Sequence, residues 1–307
     1  MTNPRVSVII PTFNRAAFIR RCLDSVIAQT ITDWECIVVD DGSTDDTEAV
    51  VRSIGDARIT YVTLAENRGA PVARNKGISM ARGTYVAFLD SDCEFAPGKL
   101  EEQLRVFTAS TDPTLGVVTC GNTTLEWNTE RVLREYLPAG IELNTREQLL
   151  HVSTNVQTIT LLVRRECLND IRFDESLPQR QDWDLCVQLS ERYSFSAVQK
   201  LLTSSYRHSG PKLSTTRPWR GWEICLAKYR HELRRRPKAL SRHHYSIHRL
   251  HLEHGMHRSA ARQLLLALRY DPVHPKRWIR LLALAAGIRS KRLATVFRKP
   301  RFAGLDG

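Results

Sequence analysis

Four times within the first 107 residues, a short β-branched apolar run gives way to a polar cluster and then to apolar residues at helical spacing. The runs are 6–10, 36–39, 59–64 and 85–89, and the helical segments are 16–29, 44–53, 70–81 and 97–107. Apolar runs too short for helices, alternating with amphipathic segments, predict a mainly parallel sheet covered by helices on both faces. Beyond residue 116 the alternation loosens. Strands are expected at 116–120 and 156–163 and a helix at 183–192, forming the acceptor-side half of the same domain.

Charge divides the chain more sharply than hydropathy does. Residues 1–205 carry 21 Lys/Arg against 28 Asp/Glu, whereas residues 206–307 carry 24 against 5. The second part reads as helices at 222–235, 245–254, 259–270 and 275–286, so the expected organisation is an α/β domain over 1–217 and a basic helical module over 218–307. Such a tail raises the question of nucleic acid, but no aromatic residues interleave with the cations as a recognised binding module requires, and nucleic acid is not expected as a partner. The spacing of His243, His244, His248, His251, His254 and His257 would allow a metal on one helix face, yet only Glu253 accompanies them, which favours a solvated basic face. Seven scattered cysteines with no C-x-x-C spacing point to a reducing compartment without structural zinc. A strand pattern that begins at residue 6, and no apolar stretch of membrane-spanning length, lead to the expectation of a cytoplasmic protein.

In an open parallel sheet, ligands collect beyond the carboxyl ends of the strands, where loops meet helix N-termini. There the chain sets Pro11-Thr12-Phe13-Asn14-Arg15, Asp40-Asp41-Gly42-Ser43-Thr44-Asp45, Asn67-Arg68-Gly69 and Asp90-Ser91-Asp92. The Asp-Gly-Ser-Thr run also makes a good turn and helix N-cap, and Asp90-Ser91-Asp92 could be a solvated turn. Two carboxylates straight after an apolar strand are nevertheless the hard oxygen donors that Mg²⁺ or Mn²⁺ bridging a diphosphate would need. Neither a Walker A sequence nor G-x-G-x-x-G is present.

The ordered motifs VSVIIPTFNR (6–15), VVDDGSTDDT (38–47), ENRGAPVARNKG (66–77), FLDSD (88–92), FDESLP (173–178) and QDWDL (181–185) give residues 1 to about 215 a resemblance to the family 2 glycosyltransferases of GT-A fold. The resemblance implies a metal-dependent, inverting transfer from a nucleotide diphosphate sugar, a UDP-sugar first, to an acceptor hydroxyl in cell-surface glycan or polysaccharide synthesis. It implies Pro11, Thr12 and Phe13 around the donor base, Asp41 on the base or ribose, and Asn67 and Arg74 near the nucleotide and its phosphates. Asp90 and Asp92 would form the D-x-D pair, with Asp92 the firmer ligand to Mn²⁺ or Mg²⁺, and His208 matches a position that supplies a metal or diphosphate ligand in some relatives. Asp182 would be the general base. Gln181 departs from the Glu common there, and an N-cap role for Asp182 on a helix from Trp183 stays open beside catalysis. A non-catalytic nucleotide-sugar binder or a nucleotidyltransferase of related fold is the alternative, the latter disfavoured because no Gly-rich loop with Arg or Lys follows the first strand. The acceptor is expected to be a glycan or a lipid-linked sugar, and the basic tail, with Trp278, Ile279, Leu281 and Leu282 beside its cations, to contact an anionic membrane surface.

Overall fold

The structure is a computed structural model and describes residues 3–138, 142–143, 145–151, 156–207 and 217–285. The chain divides into two compact units, Met1–Leu213 and Ser214–Gly307. In the first, the expected alternation appears as β1 (Val6–Thr12), α1 (Ile19–Ile27), β2 (Trp34–Asp40), α2 (Thr47–Arg52), β3 (Ile59–Thr63), α3 (Ala70–Met80) and β4 (Tyr85–Phe88). It continues through β5 (Glu94–Phe95), α4 (Lys99–Ala109), β6 (Leu115–Glu126), β7 (Val132–Tyr136), β8 (Glu142–Leu143), α5 (Thr145–Leu150), β9 (Leu162–Arg164), α6 (Gln181–Leu189) and β10 (Ser194–Arg207).

All the strands join one sheet in the order β3-β2-β1-β4-β9-β6-β10-β5, with β7 on β6 and β8 on β10. Neighbours from β3 to β4 are parallel, as are β6 and β10, whereas β9 runs antiparallel between β4 and β6. Every residue of β1 and β2 is buried, which is why residues 8–10 and 36–39 read as apolar stretches rather than alternating ones. The chain winds outward from β1 to β3 and then crosses back to β4 on the other side of β1, creating a switch point at the strands' carboxyl ends. Pairing of Thr12 with Asp40, and of Ile9 with Phe88, brings the polar segments after β1, β2 and β4 to one edge. On α3, Gly77 lets the helix lie against β1, since a Cβ there would come within 2.4 Å of Ile9.

The expected strand over 156–163 is shorter and later. Thr158–Thr160 form a 3₁₀ turn, closed by the Thr160 amide and hydroxyl donating to the Gln157 carbonyl, and only Leu162–Arg164 joins the sheet.

The second unit contains α7 (Arg220–Lys228), α8 (Arg230–Arg234), α9 (Pro237–Glu253), α10 (His257–Tyr270) and α11 (Pro275–Ala285). The single helix expected over 222–235 is broken at Tyr229. The helix expected from 245 starts eight residues earlier, at Pro237, where a proline costs no hydrogen bond. The solvated histidine face is overturned: His243, His244, His248 and His251 are buried, because this face of α9 packs on its neighbours. Histidine suits such a place when neutral. His248 Nδ1 lies 2.9 Å from the Ala260 carbonyl and His244 Nδ1 2.7 Å from Gln263 Oε1, while the Trp219 and Trp222 rings meet His251 and His243 edge-on. Among the described residues, no helix is long and apolar enough to cross a membrane.

Candidate active site

The loops after β1 and β2 are tied together by short polar bonds. The Asn14 amide donates to Ser43 Oγ at 2.8 Å, the Thr44 amide donates to Asn14 Oδ1 at 2.8 Å, and the Arg15 amide donates to Thr47 Oγ1 at 2.8 Å. Asn14 accepts the left-handed φ of 52° that this exchange needs. Asp40 closes its own turn by accepting from the Ser43 amide and hydroxyl on one oxygen and from the Tyr61 hydroxyl on the other. Asp41, also buried, accepts from the Arg68 amide at 2.8 Å and the Gly69 amide at 2.7 Å, so it anchors the loop that leads into α3. Each Asp41 oxygen keeps a further lone pair for a ligand. Between the two loops, Gly42 has φ 82°, and a Cβ there would sit 3.3 Å from the Asn67 amide nitrogen. At the end of β1, Thr12 Oγ1 is buried with no hydrogen-bond partner among the described residues.

Arg74 is the hub of the other half. Its side chain, 8% exposed, extends from α3 to donate to Asp90 Oδ1 at 2.6 Å and to Gln181 Oε1 at 2.7 Å, with the Phe173 ring 5.3 Å from the guanidinium. The next residue, Asn75, exchanges two bonds with the Phe173 backbone, locking the Phe-Asp-Glu-Ser loop onto α3. Gln181 is oriented by its own Nε2 donating to the Leu177 carbonyl. Asp92 lies within 3.9 Å of Arg15 Nε, and its side chain is 23% exposed against 41% for Asp90. Both carboxylates are thus partly solvated at the ligand edge, as a cation site needs. Among the described residues no three His, Cys, Asp or Glu side chains converge, so a cation held by this pair would draw its remaining oxygens from phosphates and water, the usual habit of Mg²⁺.

Asp182 does not cap α6. The helix begins one residue before it, and the N-cap position belongs to Arg180 in the left-handed conformation at φ 63°. Asp182 Oδ1 instead accepts from the Trp183 amide at 2.7 Å. Burial pushes its carboxyl above the ordinary aspartate range, and the charge of Asp90 adds to this, against the opposing pull of the Trp183 amide, Arg180 and Arg74. A carboxylate poised this way is a better proton acceptor than a solvated one.

Beyond Asp92 lies a group that the motifs did not single out. The Arg21 guanidinium lies 4.0 Å from the Trp127 ring and 3.7 Å from the Tyr206 ring, which meet edge to face, and pairs with Glu94. Burial and a hydrogen bond to Glu94 hold the Tyr206 hydroxyl protonated well above its usual range. These residues pin the end of β10 beside the strand that follows the Asp90–Asp92 loop.

Comparison with known proteins decides what this edge belongs to. The profile of glycosyl transferase family 2 matches residues 7–171. The chain belongs to that family. TuaG of Bacillus subtilis, a glycosyltransferase assigned to teichuronic acid biosynthesis, is 49% identical over 109 residues, which are 34% of this chain and 43% of TuaG. An uncharacterized glycosyltransferase of Rickettsia prowazekii, RP339, is 31% identical over 219 residues, 69% of this chain and 67% of its own. The Escherichia coli enzyme WfgD, named as a UDP-Glc:α-D-GlcNAc-diphosphoundecaprenol β-1,3-glucosyltransferase, is 29% identical over 213 residues, 69% of this chain and 80% of WfgD. The match therefore spans less than half of TuaG and two thirds of RP339. Among solved structures, Staphylococcus aureus TarS 1–349 with UDP-GlcNAc superposes with a TM-score of 0.59 at 21% identity, covering 95% of this chain and 83% of that one. A Pyrobaculum calidifontis mannosyltransferase with GDP-Man and Mn²⁺ gives 0.52 at 22%, covering 96% and 84%. Both share the GT-A fold.

Within this family 2 scaffold the expected site residues divide into two groups. Pro11, Thr12, Asp41 and Asn67 gather at the β1, β2 and β3 loops, Pro11 paired with Val39 in the sheet and Asn67 exposed beside Gly42. Phe13 is half-buried in the same segment. Arg74, Asp90 and the α6 turn with Asp182 form the second group, and Asp92 faces Arg15 across the gap. His208 lies outside the described residues.

Proposed function

We propose that this chain transfers a sugar from a nucleotide diphosphate sugar to an acceptor hydroxyl with inversion at the anomeric carbon. The observation that carries the reading is the hydrogen-bonded line from Asp90 through Arg74 to Gln181, which ties the α6 turn that carries Asp182 to the Asp90–Asp92 loop. Asp182 accepts the proton of the acceptor hydroxyl as that oxygen attacks the anomeric carbon. The bond from that carbon to the diphosphate oxygen breaks on the opposite side, which inverts the centre. Arg74 supplies fixed positive charge near the departing diphosphate, and Thr12 and Asp41 bind the nucleoside end with hydrogen-bonding capacity that the fold leaves unused. Asp92, with Asp90, would hold Mn²⁺ or Mg²⁺, which when bound neutralises charge on the leaving diphosphate.

The donor class is supported by the UDP-GlcNAc and GDP-Man bound to the two structural neighbours, and a UDP-sugar by the printed activity of WfgD. The acceptor we assign is a glycan or a lipid-linked sugar of cell-surface polysaccharide synthesis, in keeping with the names of TuaG and WfgD. We place the protein in the reducing cytoplasm, in keeping with seven buried, scattered cysteines that show no C-x-x-C spacing. Asp182→Asn keeps an acceptor for the Trp183 amide but removes the base. Turnover should fall by about 10²- to 10⁴-fold with donor affinity retained. Nucleoside diphosphate release measures the first and calorimetric titration the second, and an unchanged rate would remove Asp182 from the mechanism. Retained anomeric configuration in the NMR spectrum of the product would overturn the single displacement.

A further inference from the structure

The last two described helices of the second unit present an unusual surface. Neither α10 nor α11 contains a carboxylate. Arg277 turns inward, where its guanidinium meets Asp271 at 3.0 Å and the Ser241 hydroxyl. With that face of α11 spent on packing, Trp278, Ile279 and Leu282 point outward, 46%, 51% and 68% exposed, and Val273 just before the helix is 85% exposed. Positions 278, 279 and 282 fall within one helical stripe. Trp278 is held in place by its indole N–H, which donates to the Pro272 carbonyl at 2.7 Å. The same two helices carry exposed cations: Lys276 on α11, and Arg262 and Arg269 on α10, where Leu265 is exposed as well.

We infer that this face docks on an anionic lipid bilayer, lying in the headgroup region with Trp278, Ile279 and Leu282 inserted and the surrounding Lys and Arg on the lipid phosphates. Outward aromatic and aliphatic residues, on helices that carry exposed cations and no carboxylate, match the chemistry of an interfacial helix. A second copy of the chain is a poor occupant, since it would set one strongly basic module against another. Residues 286–307 are equally ill-suited to cover the face, as they add six further Lys/Arg and a single Asp. The inference deepens the lipid-linked acceptor reading above by naming the surface on which that acceptor is met, and it is tested without any transfer reaction, so either can fail alone.

The test uses the full chain and a variant carrying Trp278→Ser, Ile279→Ser and Leu282→Ser, substitutions at exposed positions whose fold is checked by circular dichroism. Wild-type protein should float with phosphatidylglycerol vesicles at about 0.01 M salt and leave them at about 1 M, as the screening length contracts about tenfold. The variant should partition about 100-fold more weakly, with unchanged turnover on a water-soluble acceptor glycoside. No flotation of the wild type, as when residues 286–307 cover the face, overturns the inference. So does equal flotation of the variant, or equal binding to pure phosphatidylcholine. Sedimentation showing a wild-type dimer that the variant dissolves would assign the face to a second copy instead.

Discussion

Acidification should destabilise the second unit through His248. The side chain is fully buried on α9 with Nδ1 2.9 Å from the Ala260 carbonyl, so the neutral ring carries its proton on Nδ1, and the buried Nε2 has no hydrogen-bond partner among the described residues. Protonating Nε2 would leave a buried N–H without an acceptor. It would also set a cation near Arg280, His251 and Arg249, with the Tyr245 ring 5.6 Å away. Burial first, and these charges next, bring the imidazole from 6.5 to about 4, the bond to Ala260 opposing them. Above pH 6.5 the ring is neutral in both folded and unfolded chains, and its full contribution to stability is present. As pH falls from 6.5 the unfolded chain takes up the proton while the folded one does not until about 4, so stability is lost across that window and no further below it. At about 1.4 kcal/mol per pH unit, the loss is about 3 kcal/mol, and His244, lowered by burial too, adds in the same direction. Urea unfolding resolved by hydrogen exchange on α9 peptides measures this. His248→Asn, which keeps a donor for Ala260 and does not titrate, should flatten the dependence. A wild-type unit equally stable at pH 7 and 4.5, or a variant with the same slope, would refute the argument.

Three further outcomes follow from the first unit. Arg74→Lys keeps the charge but loses the fork that serves Asp90 and Gln181 together, so kcat/KM should drop about 10- to 100-fold, one charge-assisted bond being worth about 1.5–3 kcal/mol; steady-state kinetics with a saturating acceptor reads it. Gly42→Ala must hold φ 82° and crowd the Asn67 amide, which should cost about 1–3 kcal/mol in a urea titration and weaken nucleotide binding. Asp92→Asn should raise the Mn²⁺ concentration needed for half-maximal transfer without shifting the thermal midpoint by more than a few degrees, and full wild-type activity in excess chelator would remove metal from the reaction altogether.

The parallel half of the sheet was legible because the centres of β1, β2 and β4 are buried on both faces, leaving apolar stretches at 8–10, 36–39 and 86–88. What lies after residue 116 was not, for identifiable reasons. β10 is fourteen residues long, but its apolar residues are interrupted by register shifts against β6 at Val198, Leu201 and Thr203, which destroy the period-two signal. The segment at 156–163 has strand-like composition, yet Gln103 from α4 donates to the Thr160 carbonyl and the local turn wins. On α9 the histidines were misplaced because composition alone cannot tell a solvated cation from a buried ring packed against tryptophan.

The site was legible as a set of loops and illegible as a network. Each motif named its own residues, but a hydrogen bond between residues 107 positions apart leaves no local trace, and it is such a bond that joins α3 to α6. The departure at Gln181 gains its meaning only here. Arg74 faces one carboxylate, Asp90, and one neutral amide whose orientation is set by Leu177. A glutamate in that place would give the guanidinium a second anion and add negative charge next to Asp182, both reducing the field offered to a diphosphate and making Asp182 harder to ionise. In the mechanism proposed above, the neutral residue leaves the cation with charge to spare for the donor. It does so while keeping the hydrogen bond that ties α3 to the α6 turn carrying Asp182.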